Sequence, residues 1–96
     1  MDFQALQLPV LFMKEHGQYI AYTPALDLST CGKTIAQAKK RFAEAVRLFF
    51  EEIEKMGTLE EVLLNCGWEK VSKPRAAWRP PTVVQRTVPI EVPISV

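Results

Sequence analysis

The hydrophobic positions change period along this chain, and each change marks an element. Across residues 6–13 apolar and β-compatible side chains follow one another, predicting a first strand; Pro9 within it donates no ladder bond and points to a sheet edge or bulge. Glu15-His16-Gly17 reads as a tight turn, with a glycine able to take positive φ, and Gln18-Tyr19-Ile20-Ala21-Tyr22 returns as a second strand. Thr23-Pro24 ends that strand, and Leu28-Ser29-Thr30-Cys31 supplies a short third one. An antiparallel β-meander is therefore expected before any helix.

From Thr34 the period becomes helical. Thr34 and Gln37 fit a capping box, in which each side chain satisfies an orphan backbone N–H. Ile35, Ala38, Phe42, Ala45, Val46, Phe49, Ile53 and Met56 fall on one stripe, the face expected to pack on the sheet, and Gly57 supplies the left-handed position that closes the helix. Lys40/Glu44, Arg47/Glu51 and Glu51/Lys55 form i,i+4 pairs on the opposite face, where Leu48 stands among charges and should be exposed. A second capping box, Thr58 with Glu61, opens a short helix through Leu59, Val62, Leu63 and Cys66 that Gly67 ends, with Trp68 packing back as an anchor.

After Trp68 the helical period disappears and prolines accumulate at 74, 80, 81, 89 and 93, so residues 1–68 read as the folded core and 69–96 as a proline-rich extended tail. Within the tail Val88, Ile90, Val92, Ile94 and Val96 alternate with Pro89, Glu91, Pro93 and Ser95, the period of a strand with one buried face. Both prolines fall on the same side of that strand. They remove donors from one edge only, so the strand pairs with a single neighbour, in its own subunit or in a second copy. The fold class is thus α+β: a three-stranded meander, a long helix, a short second helix and a C-terminal strand.

Composition changes this picture little. The chain has 96 residues, 48% hydrophobic and 24% charged, which describes one globular domain whose thin core favours a self-dimer or a partner. A net charge of +1 supplies no basic field for nucleic acid. The N-terminal stretch lacks the marks of a signal peptide and no apolar run approaches the ~20 residues of a membrane span, so a cytoplasmic location is expected. Cys31 and Cys66 form no Cys-x-x-Cys pair and read as reduced, small hydrophobes.

Gly32-Lys33-Thr34 resembles the end of a phosphate loop, but the first glycine of such a loop would fall at Asp27, whose charge repels phosphate. The three residues are better read as a glycine that allows a corner, a solvated lysine and an N-cap. The one histidine, His16, lies in a predicted turn, the aspartates are Asp2 and Asp27, and the glutamates lie mostly on helices. No triad, Cys–His pair or metal set has the required spacing, and no enzyme, cofactor or metal is expected. Lys73, Arg75, Trp78, Arg79 and Arg86 form a sparse basic strip, better read as a solvated connector than as a nucleic-acid site.

The order Gly17-Gln18-Tyr19-Ile20-Ala21-Tyr22, Pro24-Ala25-Leu26, Gly32-Lys33-Thr34, Gln37-Ala38 and Glu44-Ala45-Val46, with Leu48 in the same helix, resembles the N-terminal domain of HicB-family antitoxins over residues 8–53. The segment from Pro24 to Cys31 lacks the Pro-Gly of many members and is a residue shorter, and so resembles a short-loop subgroup. That resemblance implies a partial ribonuclease-H-like fold without the enzyme's acidic residues, and stoichiometric neutralisation of a small basic HicA-type mRNA-cleaving toxin by covering its surface. The proline-rich tail offers no helix-turn-helix or ribbon-helix-helix module, so direct DNA binding by this chain alone is not expected. Candidate partner-binding residues are Leu48 with the acidic Glu51, Glu52, Glu54, Glu60 and Glu61, and the candidate oligomer strand is Val88, Ile90, Val92 and Ile94. The alternative is a solitary nucleic-acid- or ligand-binding domain of the same fold using the segment from Lys73 to Arg86.

Overall fold

The structure, a computed structural model, describes residues 4–95; the expectations that touch Met1, Asp2, Phe3 and Val96 lie outside the described residues. Three strands, β1 (Leu11–Glu15), β2 (Gln18–Thr23) and β3 (Leu28–Gly32), form an antiparallel sheet in that order. Helices α1 (Ile35–Lys55) and α2 (Leu59–Asn65) follow, and then a two-stranded hairpin, β4 (Glu69–Val71) and β5 (Ala77–Arg79). The α+β class, the meander and both helices are as the residue pattern predicts.

The first strand begins later than the apolar run does. Residues 4–10 are outside any ladder, since β2 turns away after Thr23, whose partner on the other side is Leu28. His16 and Gly17, with φ of 50° and 77°, make the two-residue turn in which both central residues need positive φ. β2 directs Ala21 and Thr23 inward, where both are fully buried, and the Thr23 hydroxyl accepts the Ala25 N–H.

Gly32 serves a different purpose from the corner expected of it. A Cβ there would lie 2.6 Å from the Ala38 nitrogen and 2.9 Å from the Gln37 carbonyl carbon, so the glycine lets the first turn of α1 sit directly on β3. Thr34 caps that turn by accepting the Gln37 N–H, but Gln37 Oε1 accepts from the Lys33 N–H rather than from Thr34, one residue further back than a capping box requires. Lys33 itself is exposed.

Ala38, Phe42 and Ile53 of the predicted stripe are buried, whereas Ile35 and Met56 at its ends are exposed. The reason is length: a helix of 21 residues runs about 31 Å, while strands of 5 or 6 residues span roughly 17–20 Å. Both helices end in Schellman motifs. Gly57 and Gly67 take positive φ, the Thr58 N–H bonds the Ile53 carbonyl, and the Trp68 N–H bonds the Leu63 carbonyl. The second capping box does not form, because Thr58 already ends α1 and its hydroxyl donates to the Ile53 carbonyl instead.

Trp68 is 3% exposed, and its Nε1–H donates to the Ala25 carbonyl at 2.8 Å. Ala25, Leu26, Leu63 and Trp68 make one core cluster, and Ala21, Ala38 and Phe42 make another. The hairpin β4–β5 was not visible in the period, yet its Trp78 packs on the first cluster. The tail has no ladder within its own chain: among the described residues 80–95 lie in no strand, and Val88, Ile90, Val92 and Ile94 are exposed.

Two substitutions test this packing. Trp68→Phe leaves the Ala25 carbonyl buried without its donor and is expected to cost about 1–3 kcal/mol in chemical denaturation. Gly32→Ala forces α1 off β3 and is expected to cost about 1–3 kcal/mol or more, read as a lower Tm in circular dichroism.

Candidate functional site

The groups that carry chemistry elsewhere are scattered here. His16 sits exposed in the hairpin turn, 3.7 Å from the Glu15 carboxylate. Cys66 is half-buried at the end of α2, but Cys31 is exposed on β3 and not the small hydrophobe expected, because its side of the sheet is uncovered. The Tyr22 hydroxyl donates to Asp27 Oδ1 at 3.0 Å; that bond, with some burial and the carboxylate charge, raises the tyrosine pKa. Among the described residues no three His, Cys, Asp or Glu side chains are grouped to hold a metal, and no helix is long and apolar enough to cross a membrane.

The predicted contact residues are all exposed, but they do not form one patch. Leu48, 56% exposed, shares its flank of α1 with Glu52, one turn further on. Glu51 and Glu54 instead line a cleft on the other flank, and Glu51 is paired with Arg47 at 3.3 Å. Glu60 and Glu61 lie in the first turn of α2, with Glu60 bonded to Lys70 Nζ at 3.2 Å.

That cleft was not legible beforehand. It encloses about 1200 Å³ between α1, α2, the β4–β5 hairpin and the N-terminal segment, with Leu8, Phe50, Leu59 and Trp78 among its apolar lining and Lys70 and Arg75 among its charges. The Gln4 side chain forms one end: its Nε2 donates to the Trp78 carbonyl at 2.7 Å and its Oε1 accepts the Trp78 N–H at 2.8 Å, as a neighbouring strand would. The available signal was Trp78 itself, an aromatic in a segment otherwise read as solvated. The basic strip is partly neutralised, with Arg79 paired to Glu69.

Two surfaces of the meander are open. Met13, Ile20 and Cys31 lie side by side across the three strands on the face away from α1. The outer edges of β1 and β3 have no strand partner among the described residues, although Arg41 Nη1 donates to the Cys31 carbonyl on the β3 edge. Compared with family models, curated proteins and solved structures, the chain matches none.

Because Leu48 makes no core contact, Leu48→Glu is expected to change the unfolding free energy by less than about 0.5 kcal/mol in urea titration. A larger loss would mean that Leu48 supports the fold.

Proposed function

We propose that this chain is an antitoxin-like protein that binds and neutralises a small, basic HicA-type mRNA-cleaving toxin by covering its surface, acting in the cytoplasm as a homodimer or higher oligomer. The observation that carries the reading is Leu48: a large apolar side chain more than half exposed on a long helix, beside Glu52. An apolar anchor beside a carboxylate complements a basic partner, with the leucine supplying contact and the charge supplying orientation and on-rate. The HicB resemblance over residues 8–53 supplies the identity of the partner, and the order of meander then helix agrees with it. Covering a toxin asks no bond chemistry of the chain, and none of its residues is assigned a catalytic role.

Leu48 and Glu52 form the centre of the proposed contact, with Glu51, Glu54, Glu60 and Glu61 as a more distant acidic border. Co-expression with a small, basic HicA-type toxin tests this. The wild-type chain is expected to relieve growth arrest and to co-purify, and Leu48→Glu combined with Glu52→Lys is expected to weaken binding at least tenfold at unchanged stability. Failure of the wild-type chain to bind or protect would remove the function; full binding by the double variant would remove the surface.

The second reading, a solitary nucleic-acid- or ligand-binding domain, draws on the cleft, where Lys70 Nζ lies 5.9 Å from the centre of the Trp78 ring and Arg75 stands nearby. Glu51 and Glu54 on the same walls oppose an anionic ligand. RNA binding that falls steeply with salt and is lost on Arg75 and Arg79 neutralisation would favour it over the antitoxin reading.

A further inference from the structure

The C-terminal segment and the outer edge of β1 each present one complete, unpaired hydrogen-bonding edge. The turn at His16-Gly17 makes Glu15 and Gln18 the hydrogen-bonded closing pair of the β1–β2 hairpin, so Met13 and Leu11 also bond toward β2. Phe12 and Lys14 therefore direct their N–H and C=O groups outward, and the same alternation carried back gives Val10 and Leu8. Pro9 falls on the inward side. Continued through residues 8–10, which precede β1, the outward edge Leu8, Val10, Phe12, Lys14 contains no proline, and β1 has no strand partner on that side among the described residues.

In the tail, Pro89 and Pro93 lie on one edge, which leaves Val88, Ile90, Val92 and Ile94 as the edge with every donor intact. Those four side chains are 73, 77, 67 and 88% exposed. Two four-residue edges are each complete, with their prolines on the side that does not pair.

Side-chain direction then fixes the strand orientation. Phe12 lies opposite the buried Ala21, and Val10 packs against the Ala21–Ala38–Phe42 cluster, so the outward-bonding residues of β1 face α1. In an antiparallel ladder directly opposed, mutually bonded residues share a face. Antiparallel pairing would place the tail's valines and isoleucines on the α1 side, beside Phe12, which is 37% exposed, and over an open apolar groove of about 370 Å³ lined by Val10, Phe42, Ala43 and Val46. Parallel pairing would turn them to the opposite face.

The tail of the same chain is poorly placed to supply this strand. It is still against the body at Pro81, beside Gly67, near the hairpin that Gln4 holds, and every described residue from Val84 onward is exposed. Antiparallel entry starts at Lys14, the far end of an edge whose run from Leu8 is about 20 Å. From Pro81 to Val88 the fully extended chain reaches about 23–25 Å, little more than that run, with little length for the reversal. The radius of gyration, 16.5 Å against about 12.5 Å for a compact chain of this length, reflects a tail held away from its own body.

We propose that residues 88–94 of one copy pair antiparallel with the outer edge of β1 in a second copy, Val88 opposite Lys14, Ile90 opposite Phe12, Val92 opposite Val10 and Ile94 opposite Leu8, and that the exchange is reciprocal. The proposal does not rest on the toxin-binding reading. Two copies close the exchange with both edges used, so the assembly is a two-fold dimer.

Native mass spectrometry of the full chain at micromolar concentration is expected to give a dimer. Ile90→Pro removes a donor from the pairing edge and is expected to weaken the dimer at least tenfold, while Pro89→Ala, on the other edge, leaves it unchanged. In a Cys31→Ser background, differently tagged Phe12→Cys and Ile90→Cys chains are expected to form a disulfide-linked heterodimer on mixing. A monomeric wild-type chain, a dimer indifferent to Ile90→Pro, or an Ile90–Phe12 cross-link formed only within a doubly substituted chain would each overturn the proposal. Residues 84–95 are exposed in the single chain, so the tail variants do not act by unfolding the body.

Discussion

The bond from the Trp68 indole to the Ala25 carbonyl joins the two halves of this small molecule. Ala25 belongs to the loop between β2 and β3, and Trp68 follows the Schellman turn that ends α2, 43 residues later. A buried carbonyl needs a donor and a buried indole needs an acceptor; each satisfies the other inside the Leu26–Leu63 cluster. With Trp68 fixed, β4 starts at the next residue, the hairpin returns Trp78 to the same cluster, and Gln4 ties the N-terminal segment to its edge. The cleft and the course of residues 4–10 into β1 both follow from that one anchor.

A chain of this size cannot cover every surface that its secondary structure creates. One long helix covers β2 and β3 and leaves β1 at the margin, while the face of the sheet away from α1 carries Met13, Ile20 and Cys31 without a second layer among the described residues. The open surfaces are consequently specific ones: a strand edge, a sheet face, a helix flank at Leu48 and a proline-punctuated strand. Such surfaces are suited to holding another polypeptide, which is the common ground of the proposed toxin contact and the proposed tail exchange.

The local signals in the sequence were reliable where one residue type has one physical reason to be present. Gly17, Gly57 and Gly67 stand at positive φ, and Thr34 caps α1. Readings that depended on what lies nearby fared differently. Gly32 proved to permit contact with Ala38 rather than a special φ, Thr58 was already engaged by the preceding helix, and Ile35 and Met56 overhang a sheet shorter than α1. The predicted contact patch divides between two flanks because sequence distance along a helix does not tell which flank a neighbouring hairpin will occupy. The hairpin had only three residues per strand to announce itself, too few for a period, and its stability comes from Trp78 against a distant cluster.

In the proposed dimer the β1 edge and the tail are two halves of one ladder. Amide hydrogen exchange measures this most directly. Slow exchange is expected at Val10, Phe12 and Lys14 and at Val88, Ile90, Val92 and Ile94 at concentrations where the chain is dimeric, with both sets losing protection together on dilution. Free exchange at both sets in a concentrated sample, or protection of one set without the other, would contradict it.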